Sequence, residues 1–231
     1  MRRSFACIIT FLLFLSALTC FAQQTYVSRY DAFSGYSFLS TPKMNLFENG
    51  FNQQFGINVR TWLALGGDFS VFNGSTTLTT NQLNPTLVNG LIEKYGQYFP
   101  PGYKLQSPYG ATTYTFAAGP QFNIRKLKGI TFFVRPGLGG LHQSVSLHPT
   151  DPLTTKIVAG LLGTSMSKSD TVLFYGFGGG MDFNASKHVA FRVAADFVHY
   201  DVFSNLLNGG ENTVRFSVGP SFRFGENIVR K

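Results

Sequence analysis

Alternation of apolar and polar residues constrains this chain more than any other feature. In segment 51–60, Phe55 and Ile57 alternate with Gln54 and Asn58. Successive side chains of a β-strand point to opposite faces, so this period of two predicts a strand with one apolar and one polar face. The pattern recurs in seven further segments, 30–39, 63–71, 113–124, 130–142, 171–183, 189–200 and 213–224. We therefore predict eight strands.

The lengths of the connections predict how these strands are joined. Short turns at 60–62, 125–129 and 184–187 alternate with longer loops at 40–50, 73–111, 143–170 and 201–211. In outer-membrane barrels the short turns are periplasmic and the long loops lie outside. Loops 73–111 and 143–170 each contain a helix start, at Asn84-Pro85 and Asp151-Pro152. Packing of these helices within their own loops is favoured over contact with the membrane surface or a ligand.

Composition indicates which face of the strands points inwards. A soluble lipocalin-type barrel would turn its polar face to water and carry many Lys and Glu there. Here charged residues are 13% of the chain and aromatic residues 16%, and the polar face is mostly Gly, Ala, Ser, Thr, Asn and Gln. No segment after residue 22 has the roughly 18 continuous apolar residues of a membrane helix. We predict an all-β fold, an eight-stranded antiparallel up-and-down transmembrane β-barrel with its aromatic face towards lipid.

Charged residues on the predicted inward face nearly balance. Charges removed from bulk water need partners, and eight strands leave a lumen just wide enough for side chains. We predict a network of Arg-carboxylate pairs across this lumen, favoured as a structural plug over a selective pore. Its predicted members are Arg60, Asp68, Arg135, Asp182, Arg192, Asp196, Arg215 and Arg223, with Asp31 on the same face.

Three prolines interrupt the strand patterns. Pro120, Pro136 and Pro220 cannot donate a hydrogen bond to a neighbouring strand. We keep these segments as strands and predict a β-bulge at each proline.

The N-terminal residues predict export. Arg2 and Arg3 precede the apolar run 6–18, and Ala22 is a small residue suited to signal peptidase. We predict a signal peptide over 1–22, which contains both cysteines, Cys7 and Cys20. Residues 23–231 then form a single outer-membrane barrel domain with a short C-terminal tail. A lipoprotein processed at Cys20 is the alternative, and the preceding Leu18-Thr19 fits it poorly.

The last predicted strand carries Phe216, Val218, Phe222 and Phe224 on one face. Together with the signal peptide and the alternating segments, it resembles the outer-membrane β-barrel domain family that includes the small OmpA-like and OmpW-like barrels. The resemblance spans roughly residues 30–225. It implies that this strand is the assembly signal read by the barrel-assembly machinery, and that lipid and lipopolysaccharide of the outer membrane surround the barrel. Residues 225–231 are a departure, because the family's final aromatic residue usually ends the chain.

Catalytic chemistry is not evident in the sequence. None of the four histidines can be placed beside a serine and a carboxylate from spacing alone. We predict no catalytic residue, metal, cofactor or nucleic-acid partner. The expected function is a structural, envelope-integrity or surface-interaction role in the cell outer membrane. A narrow channel for small or hydrophobic solutes and a lipid-modifying enzyme are the alternatives, and neither a solute, a surface partner nor an oligomeric state follows from the residues.

Overall fold

The computed structural model describes residues 24–229, which form a closed barrel of antiparallel strands. Each strand pairs with its neighbours in sequence, and the last pairs with the first. This confirms the predicted eight-stranded up-and-down barrel; the predicted signal peptide, 1–22, lies outside the described residues. The strands are β1 (Ser28–Thr41), β2 (Leu46–Asn58), β3 (Leu63–Thr79), β4 (Gln106–Ile124), β5 (Ile130–Leu147), β6 (Ser167–Asn184), β7 (Val189–Tyr200) and β8 (Glu211–Asn227).

The strands extend further at the outer end than the alternation predicts. The loop predicted at 40–50 is a tight connection at 42–45, because β1 and β2 stay paired as far as Thr41 and Leu46. The pairing of β3 with β4 likewise continues to Thr79 and Gln106. Residues 73–79 are mostly polar on both faces. A strand that has left the lipid has no apolar face to preserve, so its sequence loses the period of two.

The three prolines interrupt the pairing between neighbouring strands, but they do not shift its register. The register between β4 and β5 is the same on both sides of Pro120 and Pro136, but residues 119–121 and 135–137 are not paired with each other. Pairing of β8 with β1 skips Pro220 in the same way. The predicted bulges were wrong, because a proline without an N–H leaves a local gap that needs no extra residue. The register of β1 and β8 shifts instead between Ser28 and Tyr30.

The outward face of the barrel is a band of exposed apolar side chains, including Leu138 and Leu173. Aromatic residues mark both rims of the band, as in the interfacial girdles of outer-membrane barrels. Near the short turns these are Phe122, Phe132, Phe183, Phe191, Phe222 and Phe224, and near the loops Tyr36, Phe51, Tyr114, Tyr175 and Phe197. Within residues 24–229, no helix has the length and hydropathy to cross a membrane.

Two helices from the long loops lie over the outer mouth of the barrel. Helix α1 (Pro85–Tyr95) follows the N-cap Asn84, and helix α2 (Pro152–Leu162) follows Asp151, whose Oδ1 accepts a 2.8 Å hydrogen bond from the backbone N–H of Thr154. Hydrogen bonds from Thr154 hold the pKa of Asp151 below its ordinary value. The predicted helix starts are therefore confirmed. Apolar residues of the two helices share one buried cluster, including Leu91, Tyr95 and Ile157. Helix α1 packs on its own loop, as predicted, but it also packs on Ile157 of α2, a contact between loops that the prediction did not include.

The outward orientation of β7 can be tested at Val193. This residue lies on the exposed face, between Met181 of β6 and Val218 of β8. Val193→Arg should lower the free energy of unfolding by roughly 2 to 4 kcal/mol, because it places a charge in the hydrocarbon. Val193→Ala is the control and should cost much less. Urea unfolding in lipid vesicles measures both, and equal effects would contradict a lipid-facing Val193.

Candidate functional site: the lumen and the outer cap

The periplasmic half of the lumen is organised around Arg192, which is 1% exposed. Its guanidinium donates hydrogen bonds of 2.7 and 3.1 Å to the two oxygens of Asp182, and one of 3.4 Å to Asp31. A further nitrogen donates to Gln54 Oε1 at 2.9 Å. Arg223 also donates to Asp182, at 2.8 Å. The Asp182 carboxylate thus accepts hydrogen bonds from arginines of two neighbouring strands, β7 and β8.

A second cluster with the same design lies around Arg215. This side chain donates two hydrogen bonds to Asp68, at 2.8 and 2.9 Å, and one to Asp196, at 3.0 Å. Arg135 approaches Asp196 from β5 with bonds of 2.9 and 2.7 Å. Bidentate Arg-carboxylate pairs are among the strongest and most directional hydrogen-bonded contacts in proteins. This second cluster ties β3, β5, β7 and β8 together through the lumen, and the first cluster ties β1, β2, β6, β7 and β8.

Seven of the eight predicted network residues meet in these clusters, and Asp31 joins them. The four arginines and four aspartates balance in formal charge, which burial of ions requires. Arg60 was wrongly included, because it lies exposed in the turn after β2. At the same end of the barrel, Arg125 in the turn after β4 points to the lumen rim and donates a hydrogen bond to Asn58. Burial lowers the pKa of Arg125 to about 10, so it stays charged at neutral pH.

Aromatic side chains fill the lumen around the charges. Phe33, Phe133 and Phe174 are buried, and the Arg192 guanidinium lies 4.8 Å from the Phe133 ring centroid. Glycines provide the space these groups occupy: a Cβ at Gly180 would lie 2.9 Å from Phe133, and one at Gly139 would lie 2.5 Å from Phe174. Glycine at these two positions therefore leaves room for the rings of Phe133 and Phe174.

The outer cap, defined as residues 42–45, 80–105, 148–166 and 201–210, is held together by hydrogen bonds between loops. Gln82 Nε2 donates to the carbonyl of Met44 at 2.8 Å, and the Asn84 N–H donates to that of Leu206 at 2.8 Å. The Tyr103 hydroxyl lies 2.7 Å from Thr154 Oγ1. These contacts join all four outer loops into one structure, which spacing along the sequence did not predict.

Three of the four histidines have a side-chain hydrogen-bond partner among the described residues, and none of these partners is a carboxylate. His142 Nδ1 lies 2.7 Å from Thr171 Oγ1, and His199 Nδ1 lies 2.8 Å from Asn212 Oδ1, both on the outward face. His188 Nδ1 donates to the carbonyl of Arg223. Within residues 24–229, no group of three His, Cys, Asp or Glu side chains is arranged to hold a metal ion.

The residues of the predicted assembly signal lie on the outward face of β8. Phe216, Val218, Phe222 and Phe224 are all exposed there. Phe224 stacks on Tyr30 of β1 with ring centroids 5.6 Å apart, at the seam where the barrel closes. Strand β8 continues past Phe224 to Asn227, and Glu226 pairs with Arg29.

A closed ring of eight up-and-down strands with an apolar outer band is the fold of small outer-membrane barrels. Neisserial surface protein A has this fold, with a TM-score of 0.53 and 11% identity over 84% of this chain and 96% of that one. The Ail protein of Yersinia pestis, in complex with the heparin analogue sucrose octasulfate, is 17% identical over 85% of this chain and 97% of its own, with a TM-score of 0.48. OprG of Pseudomonas aeruginosa is 10% identical over 89% and 100%, with a TM-score of 0.47.

No family model and no curated protein matches the sequence. The likeness to Neisserial surface protein A is therefore one of fold. This likeness confirms that the fold resembles that of the small outer-membrane barrels, as the sequence predicted.

Arg192 tests the contribution of the lumen network to stability. Arg192→Ala removes the partner of two buried carboxylates and should lower the free energy of unfolding by roughly 3 to 5 kcal/mol. Arg29→Ala is the control, because the Arg29–Glu226 pair is exposed and should contribute less than about 1 kcal/mol. Urea unfolding in vesicles compares them. Similar losses for both variants would mean that the lumen pairs do not stabilise the barrel.

Gly178 tests whether the small inward residues are required by the network. A Cβ at this position would lie 1.8 Å from Asp196 Oδ1, so Gly178→Ala should push the carboxylate away from Arg135 and Arg215. We expect a loss of roughly 2 kcal/mol or more. Gly137→Ala is the matched control, since Gly137 also borders the lumen and has nothing within 4 Å of its Cβ position. If both variants unfold at the same urea concentration, the close contact does not constrain residue 178.

Proposed function

We propose that this protein is a non-conducting outer-membrane barrel with a structural, envelope-integrity or surface-interaction role, exercised through its outer cap. The observation that carries the proposal is the lumen network, in which Asp182 and Asp196 each bind two arginines from different strands. Such a network crosses the lumen rather than lining it. A lumen crossed in this way leaves no path through the barrel, so the role proposed here belongs to the outer cap and not to transport.

The space around the network supports this proposal over a channel. The cavity beside Arg135, Arg192 and Arg215 measures about 60 Å³, room for roughly two water molecules. A solute could pass only if buried arginines left their carboxylates, and breaking such a pair is strongly unfavourable. We therefore infer that neither ions nor small solutes cross this barrel at a useful rate.

Export and assembly belong to the same proposal. We infer cleavage of the signal peptide after Ala22, insertion by the barrel-assembly machinery through the exposed aromatic residues of β8, and lipopolysaccharide as the outer-leaflet neighbour. The girdles of Phe and Tyr at both rims support a position across the outer membrane. We infer no catalytic role, because the histidine partners are a hydroxyl, an amide and a backbone carbonyl.

Planar-bilayer recording tests the blocked lumen. The wild-type barrel should show no stable conductance, whereas an Arg192→Ser, Arg215→Ser double variant should show brief small openings, because two large side chains are removed from the lumen. A sixteen-stranded porin in the same bilayer is the positive control. Steady openings of nanosiemens size from the wild type would overturn the proposal and favour a pore.

The cap can be separated from the barrel by a second variant. Replacing 84–103 and 151–163 with short glycine-serine turns should leave the strands paired, since β3 to β6 end outside these segments. If the role is surface interaction, cells carrying this variant should adhere less to surfaces but resist detergent as wild-type cells do. Loss of detergent resistance with adhesion unchanged would favour the envelope-integrity role of the barrel itself.

A further inference from the structure

Beneath the outer cap, above the charged part of the lumen, lies a cavity of about 80 Å³. Its walls come from the loops and from the outer ends of the strands, and they are mostly aliphatic. An engineered cavity of about 150 Å³ lined by such residues binds benzene, so a space of this kind takes small apolar groups. The wall residues include Leu46, Leu78, Leu105, Leu147, Val158 and Leu207.

Two polar groups without hydrogen-bond partners face this apolar space. Glu211, at the start of β8, is 2% exposed, and neither of its carboxylate oxygens accepts a hydrogen bond from any described residue. The hydroxyl of Tyr109, which lines the same cavity, also has no partner within residues 24–229. Buried polar atoms are nearly always hydrogen-bonded, because an unpaired one loses the solvation it had in water. These atoms are therefore placed to meet a donor that enters the cavity.

The cation nearest to Glu211 is engaged elsewhere. Lys43 Nζ lies 3.9 Å from Glu211 Oε1, and it donates its hydrogen bonds to the backbone carbonyls of Asn208, Gly209 and Gly210. Glu48, also buried at this end of the barrel, accepts a 2.8 Å bond from Thr113 at one oxygen, while its other oxygen has no partner. Lys168 also lines the cavity, and its ammonium group donates to Asn205. The acids at this end of the interior therefore keep oxygens without hydrogen bonds, unlike the aspartates of the network below them.

We propose that this cavity is a binding site for a small primary amine on a short alkyl chain. An ammonium group carries three donors and a positive charge, which match the free oxygens of Glu211 and the acceptor of Tyr109. The alkyl chain lies among the leucines, where it loses contact with water. A carboxylate on the same chain is repelled by Glu211, and a cavity smaller than the one that binds benzene limits the alkyl chain to a few carbons.

A ligand titration compares three four-carbon molecules that differ in their polar group. The barrel, in lipid nanodiscs and with labelled methyl groups, is titrated at pH 7 with n-butylamine, n-butanol and butyrate. The amine should shift the methyl resonances of Leu147 and Leu207 saturably. n-Butanol should bind roughly tenfold more weakly, because it lacks the charge-assisted bond. Butyrate should give no shift. Equal affinity for the amine and the alcohol would overturn the proposal.

Two variants change the electrostatics in opposite directions. Glu211→Gln should lower the affinity for n-butylamine roughly tenfold and leave that for n-butanol unchanged. Lys43→Met removes a competing cation from an exposed position and should raise the amine affinity. If Glu211→Gln does not fold, Val158→Phe fills the cavity and should abolish binding of both ligands. Unchanged amine affinity in Glu211→Gln and Lys43→Met, or in Val158→Phe, would show that the amine binds elsewhere.

Discussion

Closure of the backbone hydrogen-bond ladder is the constraint on which the rest of this structure depends. Lipid offers no hydrogen bonds, so every strand needs two neighbours, and the pairing of β8 with β1 supplies the last of them. Closing only eight strands makes the lumen narrow. Narrowness then explains both the glycines of the inward face and the need to pair each buried charge at close range.

The interior is divided into two electrostatic regions. In the periplasmic and middle part, four arginines and four aspartates bind each other, and the charges cancel. At the outer end, Glu48 and Glu211 retain oxygens without hydrogen-bond partners among the described residues, and Glu211 lines an aliphatic cavity. The first region serves stability because each ion is matched. In the second region the carboxylate oxygens lack donors, so a bound ligand that donates hydrogen bonds would stabilise it most.

Prediction from the sequence was accurate where a residue's position followed from the pattern around it. It failed where the position depended on contacts with residues distant in the chain. The period of two located all eight strands, because lipid and lumen impose opposite preferences on alternate residues. It misplaced Arg60, since parity along a strand cannot show that β2 ends at Asn58. The missing N–H groups of Pro120, Pro136 and Pro220 predicted bulges, but the partner strands hold their register across the gaps in pairing. The packing of α1 against α2 could not be predicted, because it depends on where the two loops lie relative to each other.

The sequence by itself determined the strand number, the direction of each face and nearly all the charged residues of the lumen, because these follow from the alternation of side chains and from the composition of the two faces. Which arginine binds which aspartate was decided only by the tertiary structure. Arg215 and Asp68 are far apart in sequence and meet because the closed ring brings β8 and β3 to face each other across the lumen. The unpartnered oxygens of Glu211 likewise arise from the way the cap folds over them, which depends on contacts among four loops.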